Sequence, residues 1–171
     1  MEMKALETIG RTRDYLDYLE EHIQNVREAF GVVCDRCKDM QFISDDFLFW
    51  SLRDSVVAHD LSKLSAEELV EYREVFYPTS DEPKRKLGKA WEHHVANNLH
   101  HWDNWTEAPE HYPNEWTVHC AHMVIDWMAM GYKFDDTARS YYEKNKDKIN
   151  LPENAITFIY EIFDRVYSDV N

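Results

Sequence analysis

DDFLFWSLRDSVVAHDLSKL, residues 45–64, repeats at a helical period. Phe49, Leu52, Val56, His59 and Lys63 follow one another at spacings of 3, 4, 3 and 4, which puts them on one face of an α-helix. Ser44, Asp45 and Asp46 supply a capping side chain and first-turn acids, so the helix is expected to begin there and to reach Lys63. Its buried face would then end on His59 and Lys63, with Asp60 at the edge. Taking a carboxylate and an ammonium out of water is costly unless they pair or meet an ion. Two readings stay open here: an Asp60–Lys63 pair at a helix end with the lysine reaching back to water, or a functional site.

The same period organises the rest of the chain. A first helix is expected from about Thr12 to Phe30, with Tyr15, Leu19, Ile23, Val26 and Phe30 inward, followed by a loop through Gly31 to Ile43. Ser65-Ala66-Glu67-Glu68 reads as a capping box opening a third helix that ends near Pro78. Residues 78–83 read as a loop, and a long helix should cover Lys84 to about Trp102. Pro109 and Pro113 bracket the next connection. Helices near 114–131, 136–148 and 153–169 complete the chain, the last with Pro152 at its opening. Four Gly and five Pro in 171 residues leave few breakers, and no segment reads as a strand. The expectation is all-α: one compact bundle of six to seven helices spanning 1–171, with a site-bearing core at about 12–131 and C-terminal helices at 136–169.

Composition narrows the function. A formal charge of -14 repels a phosphate backbone, which argues against broad nucleic-acid binding. A small phosphorylated substrate could still bind beside a cation. No apolar run is long enough for a membrane span, and the N-terminus does not read as a signal peptide, so a cytoplasmic protein is expected. Cys34 and Cys37 form a lone CxxC with no second pair, read as two loop or helix-end thiols rather than a zinc knuckle or redox pair.

Histidine is the unusual component, with nine in the chain, so the direction of each ring matters. His22 lies in the inward stripe Tyr15, Leu19, His22, Val26. In the fourth helix, Leu87, Ala90, Trp91, Val95, Leu99 and Trp102 define an apolar arc that takes in His94, Asn98 and His101. His93, Asn97 and His100 fall outside it and are expected at the rim or surface. The helix near 114–131 is apolar almost all round except for Glu115, His119, His122 and Asp126. That stripe is either the solvent face or the source of a site carboxylate.

His22, His59, Asp60 and Asp126 thus bring imidazole nitrogen and carboxylate oxygen from three helices, a donor set for Mn, Fe, Co, Ni or Zn with open positions. One or two divalent transition-metal ions are expected, the second held by Asp60 with His94 and His101. A water at an open position would lose a proton and become the hydroxide that attacks a bound phosphate. Lys63 would bind a phosphate oxygen or stabilise transition-state charge, and Asn98 is a further candidate for substrate contact.

The order His22, His59-Asp60, Asp126, with HDLSK matching HDxxK, resembles the HD-domain superfamily of metal-dependent phosphohydrolases. A closer resemblance is to a family of small HD-like proteins of bacteria and their phages. There HDxSK, AW..H...N.HH and EM..DW recur in this order. Here they read His59 to Lys63, then Ala90-Trp91 through His94, Asn98, His100 and His101, then His122 to Trp127. His122 stands where that pattern has a glutamate. The resemblance implies an all-helical fold, metal binding and phosphoester chemistry on a small phosphomonoester or nucleotide, with Asp60 and Lys63 catalytic. Two other readings remain: a di-iron oxygenase on the same scaffold, and a non-enzymatic helical binding or assembly protein with structural histidines and an aromatic partner surface.

Overall fold

In a computed structural model, which describes residues 2–79, 86–104 and 115–168, the chain is all-α, with no strand among the described residues. The helices are α1 (Glu2–Arg36), α2 (Gln41–Ser44), α3 (Asp46–Val57), α4 (Leu69–Phe76), α5 (Lys89–Asn97), α6 (Glu115–Phe134), α7 (Ala138–Asn145) and α8 (Glu153–Val166). Short 3-10 turns cover Leu61–Leu64 and Trp102–Asn104. Among the described residues no helix is long and apolar enough to cross a membrane.

The chain divides into two compact units, one of Met1–Ile23 with Asp60–Asn98, the other of Gln24–His59 with Leu99–Asn171. In the second unit α6 is buried almost all round, and its neighbours are α3, α7 and α8. Leu52 and Val56 of α3, Met123 and Ile125 of α6, and Ile159 and Phe163 of α8 meet in this core. The first unit has a small aromatic core of Tyr15, Tyr72 and Ala90, lined by Tyr18, Leu69, Tyr77 and Leu87. Apart from Leu19, its other buried groups among the described residues are ionisable or polar: His22, Asp60, Glu68, Arg73, His94 and Asn98.

Several boundaries differ from the sequence expectation, each for a local reason. Gly31 does not end α1. Its missing side chain would meet nothing within 4 Å, and buried Val26, Ala29, Val33 and Cys37 carry the apolar stripe past it. Packing outweighs the roughly 1 kcal/mol helix cost of glycine. Cys34 lies in α1 and Cys37 just past its end, as free thiols that burial pushes up to about 11, which fits two helix-end thiols. The N-cap of α3 is Asp45, whose carboxylate accepts from the Leu48 amide at 3.1 Å.

Helix α3 stops at Val57 rather than Lys63, because Asp60 takes the left-handed conformation at φ 57. The capping box at Ser65–Glu68 does not form, since Glu68 makes no cap bond, and α4 starts at Leu69. Helix α5 begins after Gly88, whose φ of 48 suits glycine, and ends at Asn97, so it is shorter than the expected 84–102. Residues 84–85, Pro109 and Pro113, with the start of the 114–131 helix and the last residue of the 153–169 helix, lie outside the described residues.

Gly131 closes α6 against the following turn. A Cβ built there would sit 2.5 Å from the Asp136 carbonyl oxygen, and the Asp136 amide donates to the Gly131 carbonyl at 3.1 Å. Gly131→Ala should therefore destabilise the protein by about 1–3 kcal/mol, although alanine is the better helix former. Thermal unfolding checks this; a variant as stable as the parent would show that the turn relaxes freely.

Candidate metal-binding clusters

The break in α3 decides where the HD pair points. Ala58 and His59 close the helix with amide bonds to Asp54 and Val56, the latter at 3.2 Å. Asp60 then reverses the backbone, and the Lys63 amide returns to the Asp60 carbonyl at 2.9 Å. Aspartate is among the few non-glycine residues that tolerate this region. His59 belongs to the second unit and Asp60 to the first. The dipeptide therefore supplies one residue to each of two clusters.

In the first unit Asp60 is 2% exposed and gathers three partners. Lys63 Nζ lies 2.5 Å from its Oδ2, His22 Nε2 3.6 Å from the same oxygen, and His94 Nε2 3.4 Å from Oδ1. Glu68, fully buried, holds His94 from behind, its Oε2 2.9 Å from Nδ1, while its Oε1 meets His93 Nδ1 at 2.6 Å. A carboxylate only accepts, so His94 carries its proton on Nδ1. In the neutral ring, Nε2 then presents a lone pair to an Asp60 oxygen. Two acceptors face each other there, an arrangement a cation between them relieves. This carboxylate–histidine order, with a second carboxylate beyond, is the one that orients imidazole toward a metal.

Asn98 donates to Ser62 Oγ and to the His94 carbonyl, both at 2.8 Å. It ties the 3-10 turn to the end of α5, so this residue, expected at the substrate, positions the site from within.

In the second unit His59, His100 and His122 are all buried and each offers a ring nitrogen within 4.8 Å of the others. His59 Nε2 lies 3.7 Å from Asp126 Oδ1, and His100 Nε2 4.0 Å from Oδ2. Behind them runs a line from Ser55 Oγ to His122 Nδ1 at 2.7 Å, and from His122 Nε2 to His59 Nδ1 at 2.9 Å. This line has two proton orders. In one, His59 donates from Nε2 to Asp126; in the other, each proton shifts toward Ser55 and the Nε2 lone pair is presented for a ligand. Both use neutral rings, so the pair accommodates an ion without becoming charged.

The structure thus brings His22, Asp60, Lys63, His94 and Asn98 together in one unit, and His59 and Asp126 in the other. The stripe of α6 is not the solvent face: His122 is buried and Asp126 mostly so, with 17% of its side chain exposed. His119 is half-buried, and desolvation lowers its pKa. His94 lies on α5 and His101 beyond its end at Asn97, so the two do not share one continuous helix as expected. Beyond that end His100, expected at the rim, is buried with its ring 4.5 Å from that of the half-buried His101.

Sequence reasoning missed Glu68 and the shell residues Ser55 and Ser62. A glutamate beside two later histidines is visible only once α4 and α5 are folded. Glu68→Gln should weaken ion binding in the first unit by roughly 10–100-fold, the usual effect of losing a carboxylate behind a ligand histidine. Competition with a chromophoric chelator measures it, and unchanged affinity would deny Glu68 this role.

Imidazole and carboxylate converging in a dry interior are the donors of a transition-metal site, and both clusters fit such an ion by chemistry. Fold and clusters together define an all-α protein whose buried histidines and aspartates could bind a metal ion. The chain belongs to the family of unknown function DUF5662, which it matches over residues 11–165. No curated protein and no solved structure matches it.

Proposed function

We propose that this chain is a metal-dependent hydrolase of small phosphomonoesters or nucleotides, of the HD type. The observation that carries the reading is the pair of buried clusters in which imidazole nitrogens face the carboxylates of Asp60 and Asp126. His22, Asp60 and His94 would hold an ion in the first unit, and His59, His100 and Asp126 one in the second. A bound divalent ion supplies a Lewis acid that activates water and neutralises phosphate charge.

The chain's own groups do the rest. Glu68 fixes the His94 tautomer, and His122, backed by Ser55, lets His59 present either its proton or its lone pair. Lys63, held beside Asp60, binds a phosphoryl oxygen and offsets the charge that grows in the transition state. With a net charge of -14 the protein repels anions at long range, so a small phosphorylated molecule needs these local cations to bind.

Elemental analysis of protein purified without chelators or a histidine tag comes first, followed by turnover of a nucleotide and sugar-phosphate panel. Bound transition metal with turnover supports the reading. Metal-loaded protein inert across the panel would remove it. A di-iron oxygenase is the second reading, favoured by the three buried imidazoles beside Asp126. Iron content together with oxygen consumption separates it from the hydrolase.

A further inference from the structure

Two polar groups in the first unit have no place in the metal chemistry. Tyr15 is 0% and Tyr72 2% exposed, and neither hydroxyl has a hydrogen-bond partner among the described residues. Both phenols lie within the field of Asp60 and Glu68. An ordinary phenol keeps its proton at neutral pH, so each is an O–H donor. The Tyr72 ring is 5.4 Å from that of His94, and Lys63 Nζ is 5.3 Å from the Tyr72 ring centre.

The nearby carboxylates do not take these protons. Asp60 Oδ2 is engaged by Lys63, the two Glu68 oxygens by His93 and His94, and Asp60 Oδ1 faces His94 Nε2 at 3.4 Å. Leaving one buried donor without an acceptor is unfavourable, and most folds avoid it. Two such donors near the same pair of carboxylates are not explained by packing, because phenylalanine would fill the volume at no polar cost. The missing partner is an acceptor rich in oxygen. Neutral phenols suit it, since each donates a hydrogen bond to an anion's oxygen without itself carrying a charge.

We propose that Tyr15 and Tyr72, together with Lys63, form a cradle that donates hydrogen bonds to the phosphoryl oxygens of the substrate. This inference rests on the phosphoester reading and names its binding residues: the ion draws the phosphate in, and the cradle orients it. The occupant is a phosphate monoester group, which free inorganic phosphate imitates.

The test titrates inorganic phosphate, and in parallel a nucleoside monophosphate, into manganese-loaded full-length protein by calorimetry. Tyr15→Phe and Tyr72→Phe should each raise Kd roughly tenfold, the scale of one hydrogen bond to a charged oxygen, and the double variant more. Metal content and the phosphate-free melting temperature should not fall, because the hydroxyls removed have no hydrogen-bond partner among the described residues. A double variant that binds both ligands like the parent overturns the cradle. If its melting temperature also drops, the hydroxyls serve a structural water instead. Parent protein that binds metal but neither ligand removes the cradle and the phosphoester reading together. Tyrosine-dependent binding without turnover leaves the cradle standing and removes only the hydrolase.

Discussion

Asp60→Asn should lower metal-dependent turnover by more than about 10²-fold, at least the scale of losing one preorganised electrostatic group. The same change should deplete the first unit of its ion while leaving the protein folded. Asparagine keeps an oxygen for Lys63 and tolerates the left-handed backbone at φ 57, so the fold survives. What it loses is the negative charge that faces His22, His94 and Lys63. Asp60→Ala loses the oxygen as well and should cost a further ~1–2 kcal/mol of backbone strain. Turnover, metal content and melting temperature for the two variants separate chemistry from folding. Full activity in Asp60→Asn would mean that the buried carboxylate is only a structural partner of Lys63.

The second large effect is linkage between ion binding and stability. An ion that binds the folded chain alone, supplied at about 1,000 times its Kd, stabilises by about 4 kcal/mol. Manganese, cobalt or zinc should therefore raise the melting temperature markedly, and a chelator should reverse the rise. The rise should vanish in the Asp60→Asn, His59→Ala double variant, which disables both clusters. Acidification should weaken it too, because protons compete for the imidazole lone pairs. A melting temperature indifferent to all three ions would instead favour structural histidines and a binding or assembly role.

How far each residue could be placed beforehand depended on the range of the force that places it. Tyr15, Leu19, His22 and Val26 were readable as inward because one long helix, with a fixed rotation per residue, carries them all. The same rule failed at His100, since it holds only while the helix continues and α5 ends at Asn97. It misled again at Lys63, where a non-glycine residue in the left-handed region breaks α3 with no glycine or proline to announce it. The Glu68 side chain followed the imidazoles of His93 and His94 rather than its own helix end.

The all-α architecture, the absence of a long apolar span, the acidic character and the inward aim of His22 are consequences of near-neighbour periodicity and composition, which act along the chain. Which carboxylate backs which imidazole, that Ser55 supports His59 through His122, and that two tyrosine hydroxyls find no partner among the described residues were decided by contacts between residues dozens of positions apart. Those contacts arise only when helices pack, because hydrogen bonds act over a few ångströms of space and carry no trace in sequence spacing.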